Sequence, residues 1–200
     1  MPLCALPNPP PAGMVDLQTL PGVELRVGYA TSDNFTGAVL PGYGWPGAWL
    51  QEQAARSLAR VADTLAEQDL ALVVFDAYRP RRASAAMVRW AEQTGHTDLL
   101  GVYIAARSGH NDGGSADVGL AELHTGALLD LGAPWDTFDP SAHTSAASGV
   151  YALRRAWLSE AMRAEGWVPY SNEWWHFRYE EAGKLPRDVP YGACEAEEGP

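Results

Sequence analysis

The chain is poor in basic residues and in cysteine, and it contains no long apolar run. Its 200 residues include 14 Lys and Arg against 25 Asp and Glu, which gives a formal net charge of −11. Nucleic acid binding needs clustered Lys and Arg at the phosphates, so this balance argues against nucleic acid as a partner and equally disfavours an anionic membrane surface. No apolar segment approaches the roughly 18 residues of a membrane-spanning helix, so we expect no membrane insertion.

The two cysteines, Cys4 and Cys194, lie at opposite ends of the chain and lack the close spacing of a metal site. Distant cysteines fit free thiols in a reducing compartment, although domain termini are often close and a Cys4–Cys194 disulfide stays open. The N-terminal segment MPLCALPNPPPAGM has neither a basic region nor a sustained apolar region, so we expect no secretory signal. We therefore expect a cytoplasmic protein.

Length and composition predict one domain. A chain of 200 residues that is 46% hydrophobic can bury a core large enough to surround a preformed pocket. Prolines near the N-terminus predict an extended strap over residues 1–24, followed by a domain of residues 25–190 and an acidic tail of residues 191–200 that frays. The oligomeric state is open, and a homo-oligomer is one option.

Apolar periodicity predicts helices and strands in separate blocks. Apolar residues recur at helical spacing in three segments, which predicts three helices. A continuous apolar run that leads into FDAY predicts a central strand buried on both faces. Few strict βαβ units occur, so the order of elements predicts an α+β fold. The helices are expected at residues 46–69, 81–95 and 149–166, and the strands in the first part of 24–37, at 70–78, 115–123 and 126–131, and as a pair within 167–179.

A glycine-rich segment, SGHNDGGSADVGL, places His110 and Asp117 on the two sides of a turn. Glycines around His110 are typical of backbone that turns tightly or approaches another group closely. An imidazole and a carboxylate that converge there, with one further ligand, would form a three-ligand zinc site with a fourth position open for water, as in catalytic zinc. Taken alone, such a pair is more often a hydrogen-bonded loop pair.

The segment EWWHF places Glu173 and His176 three residues apart around two tryptophans. The aromatic residues favour a strand, in which positions 173 and 176 point opposite ways, unless Glu173 lies in irregular backbone before the strand. Together with His110 and Asp117, His176 completes a set of three ligands, and Glu173 is left as the general base that a metallohydrolase needs. From these residues alone, a zinc hydrolase and a strand-edge pair in an aromatic core are both open.

The segment FDAYRP carries Asp76 and Arg79 where the buried strand ends, a common place for site residues. One interpretation makes Arg79 the cation that stabilises the oxyanion of a tetrahedral intermediate, with Asp76 holding it in place. The other interpretation is an Asp–Arg turn in which Pro80 caps the next helix. These residues by themselves favour the structural alternative.

Five segments together resemble a known family: YATSDNFTG, FDAYRPRRA, SGHNDGGSAD, GAPWDTFD and SNEWWHF. In this order and at these approximate spacings, they are similar to the D-alanyl-D-alanine dipeptidases of the VanX type, within the zinc peptidases that include D-Ala-D-Ala carboxypeptidases and resemble the hedgehog fold. The resemblance covers most of residues 25–180. It implies a single α+β domain with a central, mostly antiparallel sheet and helices packed on it.

The resemblance also implies a metal centre and a reaction. It implies one zinc ion per chain, a small D,D-dipeptide as substrate, and hydrolysis of free D-Ala-D-Ala to two D-alanines. The general base falls on Glu173, and the residue that stabilises the intermediate falls on Arg79, with Asp76 as its support. The zinc ligands fall on His110, Asp117 and His176.

For the substrate pocket, the resemblance implies that Asp136 recognises the ammonium of the dipeptide and that Tyr29 and Ser108 line the pocket. Two departures from the family pattern concern substrate preference rather than zinc chemistry. Ser115 stands where alanine is usual, and Asp112 stands where we expect a neutral or basic residue. An extra acid there would weaken binding of the substrate carboxylate.

Other functions are open at this point. A D,D-carboxypeptidase or wall endopeptidase would share the zinc site, but those enzymes work outside the membrane, and the missing signal and Asp136 both argue against them. A non-catalytic, zinc-stabilised binding module would usually close its site with a fourth protein ligand. An aromatic-rich sugar-binding domain would leave the His and Asp residues unexplained.

Overall fold

The computed structural model describes residues 6–192, so Cys4, Cys194 and most of the predicted acidic tail lie outside it. None of the helices in this range has the length and apolar character needed to cross a membrane. In chain order, the elements of the described range are β1 (Met14–Asp16), β2 (Val23–Leu25), β3 (Trp49–Gln51), α1 (Glu52–Ala66), β4 (Leu70–Asp76), α2 (Arg81–Thr94), β5 (Ser115–Glu122), α3 (Gly149–Ala164), β6 (Trp167–Pro169) and β7 (His176–Tyr179).

Five of the strands form one central sheet in the order β2-β4-β5-β7-β6. β2 runs parallel to β4, and the other neighbouring pairs are antiparallel. β1 and β3 pair separately as a two-stranded antiparallel ribbon. The predicted α+β fold with a mostly antiparallel central sheet is therefore confirmed.

The core forms where α1 packs against β4 and α3. Leu58, Val61 and Leu65 recur at helical spacing along α1 and are fully buried. β4 is buried along its whole length, as its uninterrupted apolar run predicted. Each large apolar side chain removed from water contributes about 1.5–3 kcal/mol, so this packing stabilises an interior strand of the sheet.

The helices expected at residues 81–95 and 149–166 are confirmed as α2 and α3. Gly95 follows α2 with a φ of 82°, in the left-handed conformation that ends many helices and that glycine adopts without strain. The predicted boundaries of the strap, the domain and the tail stay predictions. Within the expected strap, residues 14–16 form β1 and residues 23–24 begin β2.

One expected boundary near the N-terminus is wrong. The helix expected from Pro46 begins at Glu52, because Trp49–Gln51 pairs with β1 and becomes β3. Pairing with a distant segment, rather than local periodicity, decides where this helix begins. The strand expected in the first part of residues 24–37 is present as β2, which ends at Leu25, and a turn of 3-10 helix follows.

The strand expected at residues 126–131 is also wrong. This segment makes only an isolated bridge to β5, between Leu128 and Ala121. The side chain of Asp130 accepts the Gly132 N–H at 2.8 Å, and Gly132 has a φ of 89°. The resulting turn leads the chain away from β5 before a longer ladder can form.

Candidate active site

The register of the central sheet aligns three of the predicted site residues. Asp76 at the end of β4 is opposite Asp117 in β5, and Asp117 is opposite His176 at the start of β7. Directly opposed residues of neighbouring strands project from the same face, so their side chains form a row. A register shift between Val74 and Asp76 accompanies this alignment.

His110 reaches this row from the loop before β5. Ser108 and Asn111 cap the short 3-10 turn that carries it. The Nδ1–H of His110 donates to the carbonyl oxygen of Ala77 at 2.6 Å. This hydrogen bond fixes the tautomer and leaves Nε2 available to a metal ion.

One ring nitrogen each of His110 and His176 and one carboxylate oxygen of Asp117 lie close together at this row of side chains. Asp117 Oδ1 lies 3.2 Å from His110 Nε2 and 2.9 Å from His176 Nδ1, and the two ring nitrogens are 3.0 Å apart. Within residues 6–192, no second group of three such side chains is this close together. In a tetrahedral zinc site with metal–ligand bonds of about 2.0–2.2 Å, neighbouring ligand atoms are separated by similar distances. The three donor atoms therefore fit a metal such as zinc, and the fourth coordination position has no protein ligand in this cluster.

Glu173 lies beside this centre without joining it, with its Oε2 4.0 Å from His176 Nδ1. It precedes β7 in a turn, where the His176 N–H donates to the Glu173 carbonyl at 3.2 Å. Of the two alternatives that the sequence left open, this is irregular backbone before the strand, and it brings together two side chains that a continuous strand would point apart. Glu173 is 8% exposed, and burial raises the pKa of its carboxyl to about 8.

Arg79 and Asp76 form a buried ion pair beside the candidate metal ligands. The Arg79 Nε and Nη2 donate to Asp76 Oδ2 at 3.0 and 2.8 Å, and the hydroxyl of Tyr43 donates to Asp76 Oδ1 at 2.5 Å. The guanidinium lies 5.0 Å from the centre of the Tyr29 ring and 3.9 Å from Asp117 Oδ2. Burial would lower the pKa of Arg79, but attraction to Asp76 outweighs it and raises the pKa, so the cation persists.

Asp136 lies in a loop next to Tyr29. The Tyr29 hydroxyl donates to Asp136 Oδ1 at 2.8 Å, and the N–H of Phe35 donates to Oδ2 at 3.3 Å. Asp136 has a φ of 70°, in the left-handed region that is unusual outside glycine. Burial raises the pKa of its carboxyl to about 7.

These groups border one cavity of about 230 Å³. Ligand pockets for drug-sized molecules hold roughly 300–1,000 Å³, so this cavity suits a smaller molecule. Asp76 does not line the cavity. Ser108 does line it, and its hydroxyl accepts the backbone N–H of His110 at 3.3 Å. The other predicted site residues that line the cavity are Tyr29, Arg79, His110, Asp117, Asp136, Glu173 and His176.

The two residues that depart from the family pattern lie outside this lining. Asp112 is buried, accepts the Gly114 N–H at 3.1 Å, and lies 3.4 Å from Nη1 of Arg178 in β7. Its charge is therefore balanced within the protein rather than presented to a ligand. The hydroxyl of Ser115 is buried and has no hydrogen-bond partner among residues 6–192.

Sequence reasoning missed three groups that orient the site. Trp135 Nε1 donates to Asp117 Oδ2 at 3.4 Å, Tyr43 donates to Asp76, and the Ala77 carbonyl accepts from His110. Trp135 had a signal, because it directly precedes Asp136 in a segment already of interest. A backbone carbonyl carries no side-chain signal, and nothing local marks Tyr43.

The His–Asp–His donor set at the edge of this cavity suits a metal-dependent hydrolase. A family model, Peptidase_M15, described as D-ala-D-ala dipeptidase, matches residues 11–192. The chain belongs to this family. Its match runs from just before β1 to the end of the described residues, and so includes every element that borders the cavity.

Proteins named D-alanyl-D-alanine dipeptidase are similar over most of their length. The protein from Enterococcus faecium is 33% identical over 85% of this chain and 89% of its own. The protein from Streptomyces coelicolor is 32% identical over 80% of this chain and 87% of its own. The protein from Escherichia coli is 31% identical over 90% of this chain and 92% of its own. A solved vancomycin resistance D,D-pentapeptidase with Zn(II) shares 16% identity over 67% of this chain and 74% of its own, with a TM-score of 0.45, a similarity too distant to indicate function.

Proposed function

We propose that this protein hydrolyses the free dipeptide D-Ala-D-Ala to two D-alanines and uses one zinc ion per chain. The observation that carries the proposal is a buried carboxylate, Glu173, held 4.0 Å from one nitrogen of a His–Asp–His cluster that it does not join. The similar proteins named D-alanyl-D-alanine dipeptidase support the choice of substrate. A cytoplasmic location and the oligomeric state stay predictions.

His110, Asp117 and His176 would hold the zinc ion through two nitrogens and one oxygen, donor types that zinc takes in catalytic sites. When bound, zinc supplies Lewis acidity that polarises the scissile carbonyl and activates water. The Ala77 carbonyl keeps His110 in the tautomer that can bind a metal, and an outer partner of this kind also raises the basicity of the ligand.

Glu173 is the general base in this mechanism. It takes a proton from the attacking water and delivers the proton to the leaving amine. Burial raises the pKa of its carboxyl to about 8, close to the neutral range in which one group can both accept and return a proton.

Arg79 stabilises the negative charge that develops on the carbonyl oxygen. Asp76 holds the guanidinium through Nε and Nη2, and Tyr43 holds Asp76 in turn, so the cation is oriented before the substrate arrives. A preorganised charge in a water-poor site stabilises the transition state more than a mobile one, because no reorganisation is needed during the reaction.

Asp136 binds the ammonium group of the dipeptide. Its carboxylate is held by the hydroxyl of Tyr29 and the N–H of Phe35, and it borders the same cavity as the metal ligands. An N-acylated peptide offers no cation there and leaves the carboxylate without its partner, which costs about 1–3 kcal/mol or more. The enzyme would therefore prefer free dipeptides to the ends of longer chains.

The test is release of D-alanine from D-Ala-D-Ala and from N-acetyl-D-Ala-D-Ala by zinc-loaded protein. We expect cleavage of the free dipeptide and little of the acylated compound. Equal cleavage of both would indicate a D,D-carboxypeptidase. No cleavage of either, with zinc shown to be bound, would overturn the proposed reaction and favour a binding module.

A further inference from the structure

Two arginines line the cavity, and only one of them has a partner among the described residues. Arg79 is buried and donates to Asp76 through both Nε and Nη2. Arg107 is exposed, and within residues 6–192 it makes neither an ion pair nor a side-chain hydrogen bond. An arginine that lines a cavity and has no partner among the described residues is available to an anionic ligand.

The charges around the cavity indicate what that ligand group is. Asp117, Asp136 and Glu173 are acids that border it, and they would repel a carboxylate. A free dipeptide carries a carboxylate as well as an ammonium group. Asp136 is suited to the ammonium, and Arg79, held by Asp76, is assigned to the oxyanion of the intermediate, so the carboxylate needs another cation.

The loop places Arg107 beside the catalytic centre. Arg107 directly precedes Ser108, which caps the turn that carries His110. On its other side the segment is anchored by Ile104, which is 3% exposed and forms a bridge with Leu100. The guanidinium therefore extends from a short exposed segment between two fixed points, at the rim of the cavity.

We propose that Arg107 binds the C-terminal carboxylate of the dipeptide and so selects substrates with a free C-terminus. This inference rests on the proposed function, which supplies the substrate. A guanidinium can pair with a carboxylate through two parallel N–H···O bonds, an arrangement that lysine cannot reproduce. Because Arg107 is exposed, salt screens the pair, and its contribution falls as ionic strength rises.

Binding of D-Ala-D-Ala and of its C-terminal amide, measured by titration calorimetry, tests the inference. The measurements use zinc-loaded protein that carries Glu173→Gln, so that turnover does not interfere. We expect this protein to bind the free dipeptide about tenfold more tightly than the amide. Addition of Arg107→Gln should remove most of that preference by weakening binding of the free dipeptide alone, and Arg107→Lys should retain part of it.

Arg89→Gln is the matched control. Arg89 lies in α2, is exposed and does not line the cavity, so its substitution changes the net charge by the same amount. We expect it to leave the preference unchanged. Equal weakening of both ligands by Arg107→Gln, an unchanged preference, or the same loss with Arg89→Gln would each overturn the assignment of Arg107.

Failure of the proposed function is distinguishable from failure of this inference. Turnover of D-Ala-D-Ala by the protein with its natural Glu173 tests the reaction, whereas the ratio of the two binding constants tests Arg107. A protein that binds the free dipeptide through Arg107 but releases no D-alanine would contradict the reaction alone. Absence of any binding of D-Ala-D-Ala would overturn both.

Discussion

The central sheet and the loops that face it hold their functional side chains in different ways. In the sheet, the register of β4, β5 and β7 aligns Asp76, Asp117 and His176, and each is fixed by backbone pairing on neighbouring strands. In the loops, Asp136 depends on a left-handed backbone conformation and Arg107 extends from an exposed segment.

A paired sheet resists displacement, so it suits a metal centre whose geometry must hold within a few tenths of an ångström. His110 and Glu173 lie outside the strands, but hydrogen bonds to the Ala77 carbonyl and from the His176 N–H tie their segments to the ends of β4 and β7. Loops tolerate change, so they suit the contacts that select a ligand. We therefore expect substitutions in the sheet and in the segments tied to it to affect turnover or metal binding strongly, and substitutions of Asp136 and Arg107 to affect mainly selectivity.

The largest expected effect comes from Glu173→Gln, beside the start of β7. Loss of the general base should lower kcat by about 10²–10⁴-fold, with the zinc content unchanged because Glu173 is not among the converging ligands. Turnover assays and metal analysis of the same sample check this. Loss of zinc would contradict the role of base, and Glu180→Gln, an exposed acid just after β7, is the control.

Arg79→Ala should lower kcat by about 10²–10³-fold and change KM far less, because the guanidinium acts on charge that develops in the transition state. Arg79→Lys keeps the charge but cannot donate to Asp76 from two fixed nitrogens, so we expect an intermediate kcat. Steady-state kinetics separate the two parameters. An unchanged kcat would return Arg79 to a structural role.

Trp135→Phe tests the connection between the two regions, because its loop indole donates to Asp117 in the sheet. Loss of an outer partner of a ligand weakens metal binding by about tenfold or more, and competition with a chromophoric chelator measures this. Trp167→Phe is the matched control, since it removes an indole bond to Ser57 far from the cavity. Equal zinc affinity in both variants would contradict the role of Trp135.

Asp136→Asn should change selectivity rather than chemistry, reducing the preference for free over N-acetylated dipeptide by about tenfold. Burial raises the pKa of Asp136 to about 7, so its carboxylate becomes protonated as pH falls below that value. We expect kcat/KM for the free dipeptide to fall in that range, and the Asn variant to lose this part of the pH profile. A profile that is the same in both proteins would assign the titration to another group.

The smallest effect is expected for Ser115→Ala. The Ser115 hydroxyl is buried without a partner among residues 6–192, so its removal should leave the free energy of unfolding unchanged or raise it by about 1 kcal/mol. Ser57→Ala is the contrast, because that hydroxyl bonds to Glu165 and Trp167 and its loss should destabilise by about 1–2 kcal/mol. Denaturant unfolding of both variants makes the comparison.

Local signals in the sequence predicted the elements whose ends are set locally. α2 and α3 follow helical periodicity, and glycines end both of their predicted segments. β4 was predicted because a strand that is buried on both faces is apolar throughout. The candidate ligands and Glu173 were found because each lies in a short segment with an unusual composition.

Pairing between distant segments produced the errors. Trp49–Gln51 fits helical spacing, yet β1 turns it into a strand. Asp112 was expected to oppose the substrate carboxylate, yet Arg178 lies 3.4 Å from it across 66 positions of the chain. Neither partner is visible in the local sequence, because only the fold brings the segments together.

The sequence by itself determined the α+β class, the existence of the helices and the set of candidate site residues, since short-range periodicity and residue type are sufficient for these. Only the tertiary structure decided that Asp76, Asp117 and His176 form one row, and that Trp135 and the Ala77 carbonyl orient the ligands. The physical reason is that strand register and hydrogen bonds between loops depend on how distant segments pack, and a shift of one residue would turn each side chain to the other face.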